Sequence, residues 1–288
     1  MGHKNSGRVA VKFITYSQNF EDLILHRALS DIDKGFYIDL GAAEPDTHSV
    51  TKAFYDRGWS GINVEPGSRP FARLVEQRNR DININSGIWS FDGNIPIYFV
   101  GDENELSTTN TWLMEQHKAS GWEVREEIIP VTCLRTICSE YVKSSTVHFL
   151  KVDVEGAEIE AFNGHDFDQC RPWIILVESH EPGRKSKHWV EFDNRIISHG
   201  YKYVYCDAVN RFYISDEKYD DLIEHFSLPP NIYDNWVRAE EVEFEKRCVH
   251  AEKQMIKGWS ELAEAQARVK VLEEQLAEAQ ARVKEFIG

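Results

Sequence analysis

Gly35-Phe36-Tyr37-Ile38-Asp39-Leu40-Gly41-Ala42-Ala43-Glu44 is the stretch that decides the fold. It reads as a buried strand that stops abruptly at a glycine. A second apolar run, Gly61-Ile62-Asn63-Val64, ends on Glu65-Pro66, and Glu65 lies 24 residues after Gly41. In an α/β sheet, a small residue after the first strand lets a ligand approach the backbone. An acid after the second strand accepts hydrogen bonds from ribose hydroxyls. The first turn has one glycine where a dinucleotide fingerprint has three. The spacing therefore predicts a nucleoside site without a pyrophosphate cradle.

Further apolar runs extend the pattern. Residues 81–88 alternate as a third strand, 147–153 and 173–178 are near-continuous apolar strands, and 201–206 can pair with 211–214 as an antiparallel ribbon. Helical patterns lie between them. Ser17 is placed to cap a helix carrying Phe20, Leu23, Ile24 and Ala28, and Thr47 or Ser49 to cap one ending at Gly58. A helix from Pro70 to Arg78 would turn Phe71, Leu74 and Val75 inward, and others are expected over 132–142, 155–162 and 187–198. Strands alternating with helices predict a parallel central sheet covered on both faces. Residues 93–131 are less regular, with strand-like ends, and an insertion of that length between sheet elements points to function.

Composition narrows the partners. The chain has 288 residues, 33 basic against 48 acidic, for a net charge of −15. An acidic chain is not expected to bind nucleic acid or an anionic membrane, both of which require a basic face. Cys133, Cys138, Cys170, Cys206 and Cys248 are odd in number and form no CxxC pair, which predicts reduced thiols in a cytoplasmic protein. No apolar run approaches the roughly 18 residues of a membrane span, and no signal region opens the chain.

The strand ends supply the chemistry. In a parallel sheet, ligands sit beyond the carboxyl ends of the strands. Asp39, Gly41, Glu65, Asn85, Ser86, Asp153, Glu155, Glu178 and His180 all fall there and should converge on one crevice. A phosphate-free nucleoside ligand suggests S-adenosylmethionine, and so methyl transfer. Glu65 is assigned to the ribose, with Ala42 and Pro66 beside it. Asp39 and Glu44 fix the first turn or meet the methionine ammonium, and Asn85 and Ser86 edge the adenine. Transfer to a hydroxyl requires alignment and a base. His180 is the candidate base, and Asp153, Glu155 and Glu178 are active-site acids. Asp153, Glu178 and His180 could also hold Mg²⁺ or Mn²⁺, which such ligands suit better than zinc. Each has a plainer reading: Glu155 as a helix cap, His180 as a surface-loop histidine, and Lys151 as the partner of an acid.

Several strings resemble the FkbM family of methyltransferases. They are Ser17-Gln18-Asn19-Phe20-Glu21-Asp22, the run 35–42, the run 49–59 with Lys52-Ala53-Phe54-Tyr55 at its centre, and Gly61–Pro66. Further on come Phe149-Leu150-Lys151-Val152-Asp153-Val154-Glu155-Gly156 and Arg171-Pro172-Trp173-Ile174 with Val177-Glu178. The likeness spans about residues 14–238. It implies a Rossmann-like class I sheet and S-adenosylmethionine-dependent O-methylation, often of sugars or polyketide hydroxyls. It supports Asp39, Gly41 and Glu65 as cofactor residues and Asp153 and Glu155 as active-site residues. A saccharide or other small-molecule acceptor is expected, such as a polysaccharide or glycolipid precursor.

From residue 239 the composition changes to Glu, Lys, Ala, Gln and Arg. Leu262-Ala-Glu-Ala-Gln-Ala-Arg-Val-Lys recurs from Leu276, a period of 14 residues, or two heptads. A seam runs from Phe244 through Cys248, Ala251, Met255, Gly258 and Leu262 to Phe286, stepping by three and four. The expected organisation is a methyltransferase domain over 13–238 and a coiled-coil helix over 239–288 that joins identical chains. The competing reading is a methyltransferase-fold assembly module whose coiled coil is the working part.

Overall fold

The computed structural model describes residues 12–101, 108–142, 146–179 and 189–287. Contacts divide the chain into two units, Met1–Trp236 and Val237–Gly288. In the first, seven strands form the central sheet: β1 (Phe36–Leu40), β2 (Ser60–Val64), β3 (Ile82–Ile84), β4 (Phe149–Val152), β5 (Ile174–Glu178), β6 (Tyr201–Cys206) and β7 (Asn210–Ser215). Their order is β6-β7-β5-β4-β1-β2-β3. β1 to β5 pair in parallel, while β7 runs antiparallel to both β5 and β6. This is the parallel sheet that the strand and helix alternation predicted and the Rossmann-like class that the resemblance implied, with the expected ribbon at one edge.

Alternation along each strand feeds two cores, one on each face. Ile38, Leu40, Leu150, Val152, Ile175 and Val177 enter one with Phe162 and Phe192. Tyr37, Phe149, Ile174, Leu176 and Phe212 enter the other with Ile24, Phe54 and Trp59. Fully burying one such side chain contributes about 1.5–3 kcal/mol, so the two clusters hold the sheet and fix its register. The parallel register aligns the carboxyl ends of β1 to β5 along one edge.

Several local expectations are corrected. Ser17 is not the N-cap residue of the first helix, Glu21–Ala28, although its hydroxyl accepts from the Asp22 amide at 3.4 Å. The same hydroxyl donates to the buried Asp22 carboxylate at 2.7 Å, and Phe20, with φ of 66°, starts the helix. The next helix is only Lys52–Asp56, and neither Thr47 nor Ser49 caps it: Thr51 holds the N-cap position, the Thr47 hydroxyl donates to Asp46, and the Ser49 hydroxyl belongs to a buried network with Thr51. The third helix is Ser68–Gln77, burying Pro70 and Leu74 and leaving Val75 exposed. The run 81–88 splits: β3 stops at Ile84, and Gly87–Ile88 joins a second sheet. The expected helix over 132–142 is a short turn, Leu134–Ile137, followed by a wider one, Cys138–Val142.

That second sheet organises the insertion. Gly93–Val100 pairs antiparallel with Val124–Thr132, whose end pairs with Gly87–Ile88. A helix, Thr111–Ala119, lies between the long strands and is capped by the Asn110 side chain, which accepts from the Trp112 amide at 2.9 Å. Ile97, Phe99, Ile129 and Val131 form its small core. The second unit is one helix of 49 residues, Ala239–Ile287.

Candidate active site

The carboxyl edge of the sheet opens into a cleft lined by Gly41, Glu44, Glu65, Asp153 and Glu155 among others. The insertion supplies the facing wall through Ile95, Ile97, Thr109 and Ile129. Its length therefore has a structural purpose. Thr108 clasps it to the edge: its hydroxyl donates to the Glu155 carbonyl at 2.7 Å, and its backbone pairs with Tyr98.

Glu65 follows β2 and is buried at the cleft margin. The Ala43 amide donates to one carboxylate oxygen at 2.9 Å and the Gly67 amide to the other at 2.6 Å. Burial pushes its pKa up to about 7, against the lowering by those two amides. A carboxylate has about four acceptor sites, so two amides leave capacity for a pair of hydroxyls.

Asp39 lies deeper than the expected cofactor role requires. It is 1% exposed and does not line the cleft. Register explains its environment: Asp39 sits directly opposite Lys151 on β4. The Lys151 ammonium lies 3.2 Å from Asp39 and 3.4 Å from Asp153, and donates to the Gly41 carbonyl at 2.7 Å. Burial alone would lower the Lys151 pKa, but the carboxylates of Asp39 and Asp153 outweigh it and the net shift is upward. Thr51 donates to the other Asp39 oxygen at 3.0 Å and contacts Ser49, which accepts from Arg78 at 2.8 Å. Arg78 also donates to the Pro45 carbonyl at 2.9 Å. The loop after β1 is thus held from beneath by a chain of buried polar side chains.

Gly41 has φ of +74°, and a Cβ built there would lie 1.7 Å from the Asp153 carbonyl oxygen. The glycine is needed where two strand ends approach, as well as beside any ligand. Ala42 is buried and its amide donates to Val64 at 3.1 Å, which leaves it out of the lining. Glu44 lines the cleft but is ion-paired to Arg73. Pro66 and Ser86 line it as well. Asn85 points elsewhere: its amide donates to the Glu65 and Pro66 carbonyls at 2.9 and 3.1 Å, so it shapes the turn carrying Glu65. The Ser86 hydroxyl contacts the Gly87 and Pro130 carbonyls and Thr132.

At the far side of the cleft, Asp153, Glu155 and Glu178 bring carboxylate oxygens within 4.8 Å of one another. Glu155 is not helical as expected. The helix starts at Glu158, and Glu155 and Gly156 take φ of +50° and +98° in the turn before it. A non-glycine residue held in that region stores backbone strain, and here the turn brings Glu155 to the other acids. Glu158 braces the turn, accepting from the Val154 and Gly156 amides at 3.3 and 3.1 Å. Burial, followed by the charges of Asp153 and Glu155, raises the Glu178 pKa strongly. Burial likewise pushes Glu158 up to about 7. Three close oxygen donors suit a hard divalent cation. His180 lies outside the described residues. Lys151 pairs with an acid, as its plainer reading had it, and with two of them; Thr108, which positions the wall, was not assigned that role from the sequence.

Comparison with known proteins agrees with the strings that first suggested a family. The crystal structure of methyltransferase FkbM from Methylobacillus flagellatus KT is similar at 13% identity and a TM-score of 0.40, over 65% of this chain and 47% of that one. The chain thus spans about half the length of that relative. A fibrillarin/Nop5p complex is similar at 11% identity and a TM-score of 0.33, over 70% of this chain and 91% of that one. No curated protein matches the chain. The family model of the methyltransferase FkbM domain matches residues 39–203, more than half of the chain, running from Asp39 through the Asp153 turn and on into β6. The chain therefore belongs to the FkbM methyltransferase family.

Proposed function

We propose that this methyltransferase uses S-adenosylmethionine to methylate a hydroxyl, with a carbohydrate such as a polysaccharide or glycolipid precursor as acceptor. The observation that carries the cofactor reading is Glu65, a buried carboxylate at the cleft margin, oriented by two backbone amides. It would take the ribose hydroxyls, while Ile88, Ile95, Ile97 and Ile129 offer an apolar slot for a purine. Bound S-adenosylmethionine supplies an electrophilic methyl on a sulfonium. The chain supplies alignment and a place for the hydroxyl proton. Asp153 is open to an acceptor, with its side chain 37% exposed, and Lys151 fixes its position from behind. The acceptor hydroxyl would donate to this cluster, and its proton would pass to a carboxylate there. A Mg²⁺ or Mn²⁺ ion on Asp153, Glu155 and Glu178 would favour the ionised form of all three and acidify a bound hydroxyl. The glycan acceptor rests on the family resemblance.

Titration calorimetry with S-adenosylmethionine, followed by a saccharide panel read by mass spectrometry for added methyl groups, tests this. Binding that Glu65→Ala weakens, together with a methylated acceptor, supports the reading. Absence of cofactor binding by the intact chain would favour the competing assembly-module reading. EDTA inhibition reversed by Mg²⁺ would support the metal.

A further inference from the structure

The terminal helix carries its own assembly instructions. Met255, Leu262, Val269, Leu272, Leu276 and Val283 lie on its heptad seam, and every one is exposed in the single chain. In heptad notation the a positions are Cys248, Met255, Leu262, Val269, Leu276 and Val283, and the d positions include Ala251, Gly258, Ala265, Leu272 and Ala279. The residues just outside this seam decide what can cover it. In a parallel, in-register pair, each g residue meets the e residue five positions later on the partner. Arg247 then meets Glu252 and Arg268 meets Glu273, while Gln275 meets Gln280 and Glu261 meets Gln266. From Arg247 onward both charged g–e′ pairs are attractive; the one like-charge pair, Glu240 with Glu245, lies in the first turns of the helix, ahead of the seam. A full-overlap antiparallel pair keeps one favourable contact, Glu261 with Arg268. It sets Arg247 against Arg282 and Glu252 against Glu273, each twice by symmetry.

From this complementarity we infer that residues 244–283 form a parallel, in-register, two-stranded coiled coil with a second copy of this chain. The self-complementary charges select the orientation. The small d residues Ala251, Gly258, Ala265 and Ala279 let two helices approach closely, which favours two strands over more. This inference is independent of the methyl-transfer reading, because it uses neither the cleft nor its residues.

Cys248 makes the orientation measurable. It is an exposed thiol at an a position. In the parallel pair the two copies face each other across the seam, within the short Cα separation a disulfide needs. In the antiparallel pair Cys248 faces position 279, which puts the two thiols about 45 Å apart along the axis at 1.5 Å per residue. The experiment uses the full chain carrying Cys206→Ser, which removes the other exposed thiol. Sedimentation at micromolar concentration should give a dimer. Oxidised glutathione, taking up the two electrons of two thiols, should convert most of it to a covalent dimer that Cys248→Ser abolishes. Arg268→Glu should weaken the dimer several-fold by creating two like-charge pairs, and adding Glu273→Arg should restore it. A monomer throughout the micromolar range overturns the inference, as does a trimer. A dimer that resists oxidation overturns the parallel orientation, and indifference to Arg268→Glu shows that the flanking charges do not set it.

Discussion

At the sheet edge, Lys151 is buried between Asp39 and Asp153, whereas in the terminal helix Lys257 and Glu261 pair at 3.8 Å with both side chains in water. The same chemical types have opposite consequences. In the first unit a charge is shielded from solvent, so its partner is indispensable and its position is fixed. In the second, water and salt screen the charges, and they act by number and sign across a repeating surface. One region encodes geometry through burial and the other carries its signal in the period of an exposed surface. Substitutions of similar type should therefore differ sharply between the two.

Lys151→Ala should have the largest effect. Removing one member of a buried ion pair leaves Asp39 without its counter-charge, and such losses cost about 3–5 kcal/mol. The Gly41 carbonyl and the Asp153 carboxylate also lose a shared anchor. Chemical denaturation should show the loss. Lys257→Ala in the helix should change stability by less than about 0.5 kcal/mol, as exposed i,i+4 pairs do. Equal effects at the two lysines would erase the contrast.

Gly41→Ala comes next. The added methyl would collide with the Asp153 carbonyl oxygen, and alanine would have to hold φ of +74°. Overpacking and a left-handed backbone together cost about 2–4 kcal/mol, and the strand ends must separate to accept it. A denaturation midpoint equal to that of the unmodified protein would mean that the two ends do not approach as closely as described.

How much was legible beforehand follows the same division. Apolar runs interrupted at Gly41, Glu65 and Asp153 expose the sheet, because strand burial is written in local pattern. The heptad of the helix is local as well, and so was readable. The Asp39–Lys151 pairing was not, since it depends on β1 and β4 becoming neighbours in a specific register, which no local pattern states. The Thr108 clasp was hidden for a related reason: its partner, the Glu155 carbonyl, exists only after the turn at Gly156 has formed. Val75 was misassigned because a three-four spacing looks equally apolar on either side of Leu74. Asn85 and Ser86 fell at a strand end as expected, yet backbone carbonyls nearby attract their side chains.

Glu65 yields an intermediate effect and a pH signature. Glu65→Ala should weaken S-adenosylmethionine binding by about 1.5–3 kcal/mol, the size of charge-assisted hydrogen bonds to a buried carboxylate. Burial raises its pKa from 4.5 to about 7, so between those values the folded protein holds a proton that the unfolded chain has released. This group's contribution to stability therefore falls as pH rises through that window and levels off above it. Glu65→Gln should flatten the slope in a pH series of thermal melts. Cofactor affinity, which needs the ionised carboxylate, should instead strengthen as pH rises through about 7. An unchanged slope in the glutamine variant would assign the pH dependence to other acids of the cleft.

Gly258→Ala carries the comparison to its smallest effect and reverses the sign seen at Gly41. Gly258 lies inside the long helix, and a Cβ added there meets nothing within 4 Å. Glycine in a helix interior is less favourable than alanine by about 0.5–1 kcal/mol, because the unfolded chain has more conformations to lose. The substitution should therefore stabilise the helix by that amount in a single chain. If a second copy covers the seam, the new methyl at this d position also joins the alanines at 251, 265 and 279, and dimer affinity should rise with helicity. Circular dichroism over a concentration series separates the two contributions: a helicity gain independent of concentration is the propensity effect, and any further gain that grows with concentration belongs to pairing. A loss of helicity would mean that close approach at Gly258 is needed by a neighbour, and that this glycine, like Gly41, is kept for contact.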